Sequence, residues 1–161
     1  FIMNGVDYFS SHHCFNEERK STPYEIGLGW TVQLKRGDFI GKQALLEERT
    51  KGSKWSMMGL RYHWDDIEQH FADFGLPPHI CGAAWRDGKP VYDHDGRQIG
   101  QATSGVWSPT LKQNIALATL ESAHSKIGST VSVEFTVEYE RRQVQATVCP
   151  PMFFDPPRKK A

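Results

Sequence analysis

The sequence lacks both an excess of charge of one sign and any long apolar run. Its 161 residues include 19 basic and 19 acidic side chains, so the formal net charge is zero. A balanced chain does not provide the basic surface that binds the phosphates of nucleic acid. No stretch approaches the roughly 18 consecutive apolar residues of a membrane-spanning helix. We therefore expect neither a nucleic-acid partner nor a membrane partner.

The sequence also lacks a paired cysteine pattern. The chain has three cysteines, Cys14, Cys81 and Cys149, which are widely spaced and odd in number. This pattern fits a reducing compartment better than a disulfide framework, so we expect a cytoplasmic protein. The cysteines and histidines do not form the short paired spacings CxxC or HxxxH that zinc sites use, and the sequence predicts no metal site.

Three short motifs resemble catalytic or ion-binding signatures, but each lacks an essential part. Asp93–Gly96 resembles the start of a calcium loop, but Ser104 stands where that loop needs a bidentate carboxylate, so a hairpin turn is the preferred interpretation. Ser104 and Ser108 do not lie in a GxSxG elbow. Gly100–Gly105 lies between strands, whereas phosphate loops open a helix. The sequence thus assigns no catalytic residue within this chain.

The first 52 residues predict a mixed α/β segment. Short alternation of apolar and polar residues predicts a strand over Trp30–Leu34. Asp38 is a candidate N-cap for a helix over Phe39–Arg49, which has apolar residues on one face and charged residues on the other. Lys51-Gly52 is a typical end for such a helix.

Strand patterns dominate after residue 53 and are interrupted by one helix. Ile67, Phe71 and Phe74 recur at helical spacing, which predicts a short helix over Asp65–Phe74. Hairpin turns separate the strands, and a turn at Glu140–Arg142 joins the last two. The alternation predicts strands at 55–62, 80–85, 97–105, 113–120 and 130–139, followed by a partner strand through 144–148.

These elements indicate an α+β fold that is mainly β. Several short strands joined by hairpins are typical of a small barrel or sandwich, and we expect a C-terminal, antiparallel, Greek-key-like β-barrel. The change of pattern near residue 53 predicts a domain boundary there. We therefore divide the chain into residues 1–52, the end of an α/β domain, and residues 53–161, the barrel with one helical insertion.

Trp30 and Glu25 are the candidate ligand-binding residues. Trp30 follows Gly27-Leu28-Gly29, and an indole flanked by glycines is either packed in a core or available for stacking on a flat heteroaromatic ligand. Glu25 is a surface charge, a cap or a hydrogen-bond acceptor for a ligand. The residues alone leave these alternatives open, with core packing favoured for Trp30 and a structural role favoured for Glu25.

Four stretches, in this order, resemble the aminomethyltransferase family, which comprises the glycine cleavage T-protein and its relatives. Each stretch is modest on its own, and the four together are specific. The similarity runs from about Gly5 to Pro156. The stretches are TPxExGLGW at Thr22–Trp30, DFIGK at Asp38–Lys42, IGxxTSGxxSPTL at Ile99–Leu111 and PMFFDP at Pro151–Pro156.

The resemblance implies a reaction, a site and partners. The family transfers a one-carbon unit to N5 of tetrahydrofolate, and in the T-protein the donor is an aminomethyl group on a lipoyl arm. By resemblance, residues 1–52 end the folate-binding domain, and Trp30 and Glu25 contribute to the tetrahydrofolate site. The implied partners are the upstream half of the same protein and a lipoyl carrier protein or a flavoenzyme.

The apolar start Phe1-Ile2-Met3 resembles the middle of a domain. We therefore expect a fragment of a longer protein, inactive without the upstream half, because the family's assisting aspartate lies before this stretch. Two alternatives stay open. One is a non-catalytic barrel that serves as an interaction module, and the other is a folate module fused to a flavin-dependent amine dehydrogenase or demethylase.

Overall fold

The computed structural model describes residues 21–156 and Arg158. The predictions that concern the first 20 residues, among them Cys14 and the apolar start at Phe1, lie outside the described residues. Two α-helices and six strands form the described part, with short 3-10 turns at Gly29–Thr31 and Ser122–His124. In chain order these elements are α1 (Lys42–Lys51), β1 (Trp55–Tyr62), α2 (Trp64–Ala72), β2 (Lys89–Tyr92), β3 (Gln98–Ser108), β4 (Gln113–Glu121), β5 (Thr130–Val137) and β6 (Glu140–Cys149).

The six strands close into a barrel in the order β1-β4-β3-β2-β5-β6. All neighbouring strands are antiparallel, and β6 pairs with β1 to complete the closure. Three consecutive strands, β2, β3 and β4, are joined by short connections, and β5 returns to lie beside β2, which is a Greek key. The structure confirms the predicted mainly-β fold and its antiparallel Greek-key barrel.

The barrel core is built largely by alternation along the strands, which is clearest on β5. On β5 every second side chain faces inward and is at most 9% exposed, while the residues between them face outward. This is the period-two pattern from which the strand was predicted. The inward side chains of β5 and β6 are Val131, Val133, Phe135, Val137, Val144, Ala146 and Val148.

Helix α2 closes one end of the barrel. Ile67 and Phe71 lie four residues apart on its buried face, as the helical spacing predicted. The Phe71 ring lies edge-on to Phe135 of β5, with 6.5 Å between centroids. The predicted helix is confirmed, and its observed bounds are Trp64–Ala72.

Helix α2 also supplies hydrogen bonds to the edge of β6 beyond its last pair with β1. Asp66 Oδ2 accepts a bond from the Gln145 N–H at 2.9 Å. The Gln145 carbonyl accepts a bond from the His63 N–H at 2.8 Å. His70 Nε2 donates to the Gln143 carbonyl at 2.9 Å. The helix connection therefore replaces a neighbouring strand along this part of the edge.

The predicted strand over Trp30–Leu34 is wrong. Gly29–Thr31 forms a 3-10 turn, and the chain turns again after Val32. The Thr31 hydroxyl and the Thr31 N–H both bond to the Leu28 carbonyl, at 2.7 and 2.9 Å. Alternation over five residues predicted a strand, but this local bonding produces a turn because no neighbouring strand pairs with the segment in the described part.

The predicted strand over Ile80–Trp85 is also wrong. Within it only Trp85 forms a β-bridge, with Gly105 of β3. Gly82 interrupts the segment, and glycine has little tendency to stay extended without partners. The segment is instead part of the long connection from α2 to β2.

Helix α1 begins later than predicted. It starts at Lys42 after Gly41, whose φ of 89° is left-handed, and ends before Gly52 as expected. Asp38 is not its N-cap and forms an ion pair with Lys42 at 3.4 Å. None of the helix side chains is buried. The first barrel strand begins at Trp55, and the domain boundary near residue 53 stays a prediction.

Candidate functional site

The segment before the barrel, residues 21–53, contains no buried residue. Its apolar side chains are instead exposed to a degree that is unusual for residues of this size. The indole of Trp30 is 81% exposed. The exposed apolar residues of the N-terminal segment are Leu28, Trp30, Phe39, Ile40 and Leu46.

Trp30 lies at the centre of the 3-10 turn Gly29–Thr31. A Cβ on Gly29 would lie 2.6 Å from Tyr24 Cδ1, so only glycine allows the turn to pack against the Tyr24 ring. This contact and the Thr31 bonds hold the turn and leave the neighbouring indole facing solvent. The core-packing alternative for Trp30 is therefore wrong in the described structure, and its face is open to a planar ligand.

Glu25 belongs to a capping box. The Thr22 N–H donates to Glu25 Oε2 at 3.0 Å, and the Glu25 N–H donates to Thr22 Oγ1 at 3.2 Å. This reciprocal pair, with Pro23 in the next position, is typical of the first turn of a helix. The Glu25 carbonyl also accepts a bond from the Met57 N–H at 2.8 Å, which attaches the turn to β1.

Glu48 of α1 was not identified from the sequence. Its Oε1 accepts hydrogen bonds from Thr22 Oγ1 and from Ser53 Oγ, both at 2.6 Å. The carboxylate therefore joins α1, the capping box and the start of the barrel. No local pattern marks this role, because the two hydroxyls belong to different segments.

An open hollow of about 550 Å³ lies between the chain that follows Trp30 and helix α1. Three of its six lining side chains are cationic, and none of the six is acidic. Such a lining favours anionic ligands. The lining residues are Val32, Gln33, Leu34, Lys35, Arg36 and Arg49.

A second, apolar hollow of about 190 Å³ lies on the outer face of the barrel. It includes part of the stretch Thr103–Pro109. A Cβ on Gly105 would lie 2.3 Å from Trp85 Cζ2, so this glycine makes room for the indole. Lys89 Nζ lies 4.6 Å from the centroid of the same indole, and burial lowers the pKa of Lys89. The lining residues are Ala84, Ser104, Gly105, Val106, Ile115, Ala116, Leu117 and Phe153.

The Asp93–Gly96 turn joins β2 to β3, as the hairpin interpretation predicted. Asp93 Oδ1 accepts bonds from the N–H groups of Asp95 and Arg97, at 3.0 and 2.9 Å. Gly96 has a φ of 78°, which glycine adopts without strain. Burial opposes ionisation of Asp93, but these N–H groups outweigh it and lower the pKa.

Among the described residues no group of three or more His, Cys, Asp and Glu side chains is placed to hold a metal ion. Cys81 is exposed, Cys149 is buried, and both are free thiols. Burial raises the pKa of Cys149. No helix in the described ranges is long and apolar enough to cross a membrane.

Comparison with known proteins defines the class of this barrel. Residues 75–155 match the family model of the glycine cleavage T-protein C-terminal barrel domain. The aminomethyltransferase of Synechococcus sp. (strain CC9902) is 36% identical over 125 residues, which are 76% of this chain and 29% of that protein. That of Koribacter versatilis (strain Ellin345) is 34% identical over 138 residues, which are 86% of this chain and 31% of that protein.

A solved structure shares the fold. The glycine cleavage system aminomethyltransferase T from Bartonella henselae aligns with a TM-score of 0.63 and 22% identity, over 84% of this chain and 32% of that one. The chain belongs to the aminomethyltransferase family and corresponds to its C-terminal portion. The resemblance seen in the four sequence stretches is thereby confirmed. The chain spans about a third of the length of the relatives that it matches.

Proposed function

We propose that this chain is the C-terminal part of a tetrahydrofolate-dependent aminomethyl- or methyltransferase, which transfers a one-carbon unit to N5 of tetrahydrofolate. Membership of the aminomethyltransferase family supports the reaction class. The 81% exposed indole of Trp30 is the observation that carries the proposal. A large aromatic face held on a tight turn is suited to stacking on a pterin ring.

The described residues fit the two chemically distinct ends of tetrahydrofolate. Trp30 provides an aromatic surface for the flat pterin. The open hollow that begins at Val32, two residues after Trp30, is lined by the cations Lys35, Arg36 and Arg49. Such cations would hold the carboxylates of the folate tail. The substrate's own N5 amine accepts the carbon, so the residues of this chain bind and orient it.

Glu25 has a supporting role in this proposal. Its Oε2 is engaged by the Thr22 N–H, so we assign to it the task of holding the turn that carries Trp30. Glu25→Gln keeps an oxygen acceptor at this position, and Glu25→Ala removes it. A positioning role predicts that Gln retains tetrahydrofolate affinity in the longer protein and that Ala loses it. Equal losses in both variants would instead indicate direct contact of the Glu25 charge with the ligand.

We further propose that the chain needs the upstream half of its polypeptide for activity. The exposed apolar residues of the N-terminal segment present a surface that soluble proteins usually cover. An upstream folate-binding half would cover it and complete the site. A lipoyl carrier protein or a flavoenzyme is the proposed donor partner, and the wide spacing and odd number of the three cysteines support a cytoplasmic location.

Calorimetric titration with tetrahydrofolate tests the proposal on two proteins, the 161-residue chain and the product of the full reading frame. We expect weak or no binding by the shorter chain and clear binding by the longer one. Trp30→Ala in the longer protein should weaken binding at least about tenfold, the loss of one well-stacked aromatic contact. Tyr139→Ala is the matched control, because Tyr139 is an exposed aromatic residue on the β5–β6 hairpin.

Two results would contradict the proposal. Tight binding by the 161-residue chain alone would show that the site does not need upstream residues. Unchanged binding in Trp30→Ala would remove the indole from the site. A dehydrogenase encoded upstream would reassign the chain to a folate module of a flavoenzyme, and absence of binding in both proteins would favour an interaction module.

A further inference from the structure

Two polar groups lie inside an otherwise apolar barrel. Asn114 of β4 is 4% exposed and is the one buried polar side chain among the described residues, and Tyr62 of β1 is 5% exposed. Tyr62 Oη and Asn114 Oδ1 have no hydrogen-bond partner in the described part of the chain, and the third such buried side-chain atom is His70 Nδ1 of α2. Buried polar atoms of native proteins are nearly always paired, so both atoms require a partner.

Tyr62 and Asn114 lie at the same end of the β1–β4 ladder. The pairs of β1 with β4 end at Arg61 opposite Ile115, and Tyr62 and Asn114 are the next residues of the two strands. Their burial shows that both side chains face the barrel interior. The two side chains therefore occupy the same end of the barrel.

Helix α2 encloses this end. It follows directly after Tyr62, and its Ile67 and Phe71 side chains are buried in the same core. Burial raises the pKa of Tyr62 above its ordinary value, so the hydroxyl stays protonated and is a hydrogen-bond donor. Asn114 Oδ1 is an acceptor. The enclosed pair is thus one donor and one acceptor without mutual or other partners.

We propose that this end of the barrel is a binding site for one ordered water molecule, which accepts a hydrogen bond from Tyr62 Oη and donates one to Asn114 Oδ1. Water has the donor and the acceptor that the pair lacks, and it keeps one further donor and acceptor for nearby backbone groups. The proposal concerns the internal structure of the barrel and does not rest on the proposed transferase function.

A double-mutant cycle in urea tests the bridge in the 161-residue chain. Tyr62→Phe removes only the hydroxyl, and loss of a bridged partner should raise the unfolding equilibrium constant about 5- to 10-fold. Asn114→Leu removes the other partner. In the double variant the unfolding constant should rise by less than the product of the two single increases, because each single variant already breaks the same bridge. Tyr92→Phe, the same chemical change at a half-buried site on β2, should change the constant less than about twofold.

Magnetic relaxation dispersion of water oxygen gives a direct readout. The parent chain and Tyr92→Phe should hold one more long-lived internal water than Tyr62→Phe. Equal numbers in all three proteins would overturn the proposal. So would an unfolding constant that is unchanged or lowered in Tyr62→Phe, since that is the expected result of removing an unpaired hydroxyl. If Asn114→Leu does not fold, the comparison of Tyr62→Phe with Tyr92→Phe and the relaxation measurement still test the proposed water site.

Discussion

At the residue scale, two glycines make room for neighbouring rings. A Cβ on Gly105 would meet the Trp85 indole at 2.3 Å, and one on Gly29 would meet the Tyr24 ring at 2.6 Å. Both glycines lie in stretches by which the sequence resembles its family. In this structure their physical role is close packing of backbone against an aromatic ring, which no residue with a Cβ permits.

Gly105→Ala should destabilise the barrel by about 1–3 kcal/mol, the usual cost of overpacking. The added Cβ would also lie 2.9 Å from the Ile115 carbonyl, a backbone atom that does not move easily. Urea unfolding followed by tryptophan fluorescence measures the change. Gly82→Ala is the matched control, because nothing lies within 4 Å of its Cβ position, and it should shift stability by less than about 0.5 kcal/mol. Equal stability of the two variants would contradict the packing explanation.

At the element scale, the contact between helix α2 and the edge of β6 explains why the barrel closes although β1 ends early. The side chains of Asp66 and His70 form hydrogen bonds with backbone groups of β6 that a neighbouring strand would otherwise bind. Arg142 adds an ion pair with Asp73 at 2.6 Å, just after the helix. The helical insertion is therefore a structural part of the barrel.

Asp66→Ala should lower the free energy of unfolding by about 1–2 kcal/mol, because the Gln145 N–H loses its acceptor. Asp66→Asn keeps an acceptor oxygen and should lose less. Asp65→Ala is the control, since Asp65 lies in the same first turn of α2 and shares its interaction with the helix dipole. Chemical denaturation of the three variants measures the effect. If Asp65→Ala costs as much as Asp66→Ala, the edge hydrogen bond is not the cause.

The β5–β6 hairpin has a strained tip. Glu138 and Tyr139 have φ values of 46° and 65°, which are unfavourable for residues with a Cβ. The sequence had predicted the turn at Glu140–Arg142, but these residues already belong to β6. That prediction is wrong because no Asn-Gly signal marks the true turn.

Tyr139→Gly should stabilise the protein by about 1 kcal/mol, because glycine adopts positive φ without strain. The Tyr139 side chain is almost fully exposed, so little packing is lost. Thermal unfolding measures the gain as a higher Tm. Ser125→Gly is the control. Ser125 has a negative φ, so glycine relieves no strain there and the Tm should not rise. A lower Tm for Tyr139→Gly would contradict the strain argument.

At the scale of the whole molecule, paired carboxylates connect separate parts of the chain and make stability depend on pH. Arg97 forms two hydrogen bonds with Glu121, at 3.1 and 2.9 Å, which lower the pKa of that carboxyl. The hydrogen bond from Gln69, aided by Arg142, lowers the pKa of Asp73. In both cases the folded state favours the ionised carboxylate.

Stability should therefore fall as the solution becomes acidic. Because the folded-state pKa values lie below the ordinary values of 4.5 for Glu121 and 3.8 for Asp73, the stabilisation is complete above about pH 5 and is lost as pH falls through the folded-state values. Urea midpoints at pH 7, 4 and 3 measure the loss. Glu121→Gln should reduce the pH dependence, because it removes one of the two carboxylates whose pKa the folded state lowers. A midpoint that stays constant from pH 7 to 3 would contradict the linkage.

The sequence predicted five of the six barrel strands but missed β2, and it predicted the segment before the barrel poorly. Strand β5 was predictable because five alternating apolar residues from Val131 onward follow the period of an extended chain. Trp30–Leu34 alternates too, but the hydrogen bonds of Thr31 to Leu28 make it a turn. Short patterns do not separate these outcomes, since both satisfy the same local spacing.

The candidate site was only partly predictable. Aromatic and glycine content drew attention to Trp30, but its exposure became evident only from the structure. The capping box at Thr22–Glu25 has a readable signature, whereas the bond from Thr22 Oγ1 to Glu48 joins residues 26 positions apart in the chain. Contacts of this kind have no local signal.

By itself the sequence determined five of the six barrel strands, the amphipathic helix α2 and the family. Each follows from the order of residues along a short stretch, where side-chain period and turn chemistry act locally. Only the tertiary structure decided that α2 completes the edge of β6, that Trp30 faces solvent and that Tyr62 and Asn114 share one end of the barrel. The first and the third depend on how elements distant in the sequence pack in the barrel. The second depends on the turn Gly29–Thr31, which packs against the Tyr24 ring.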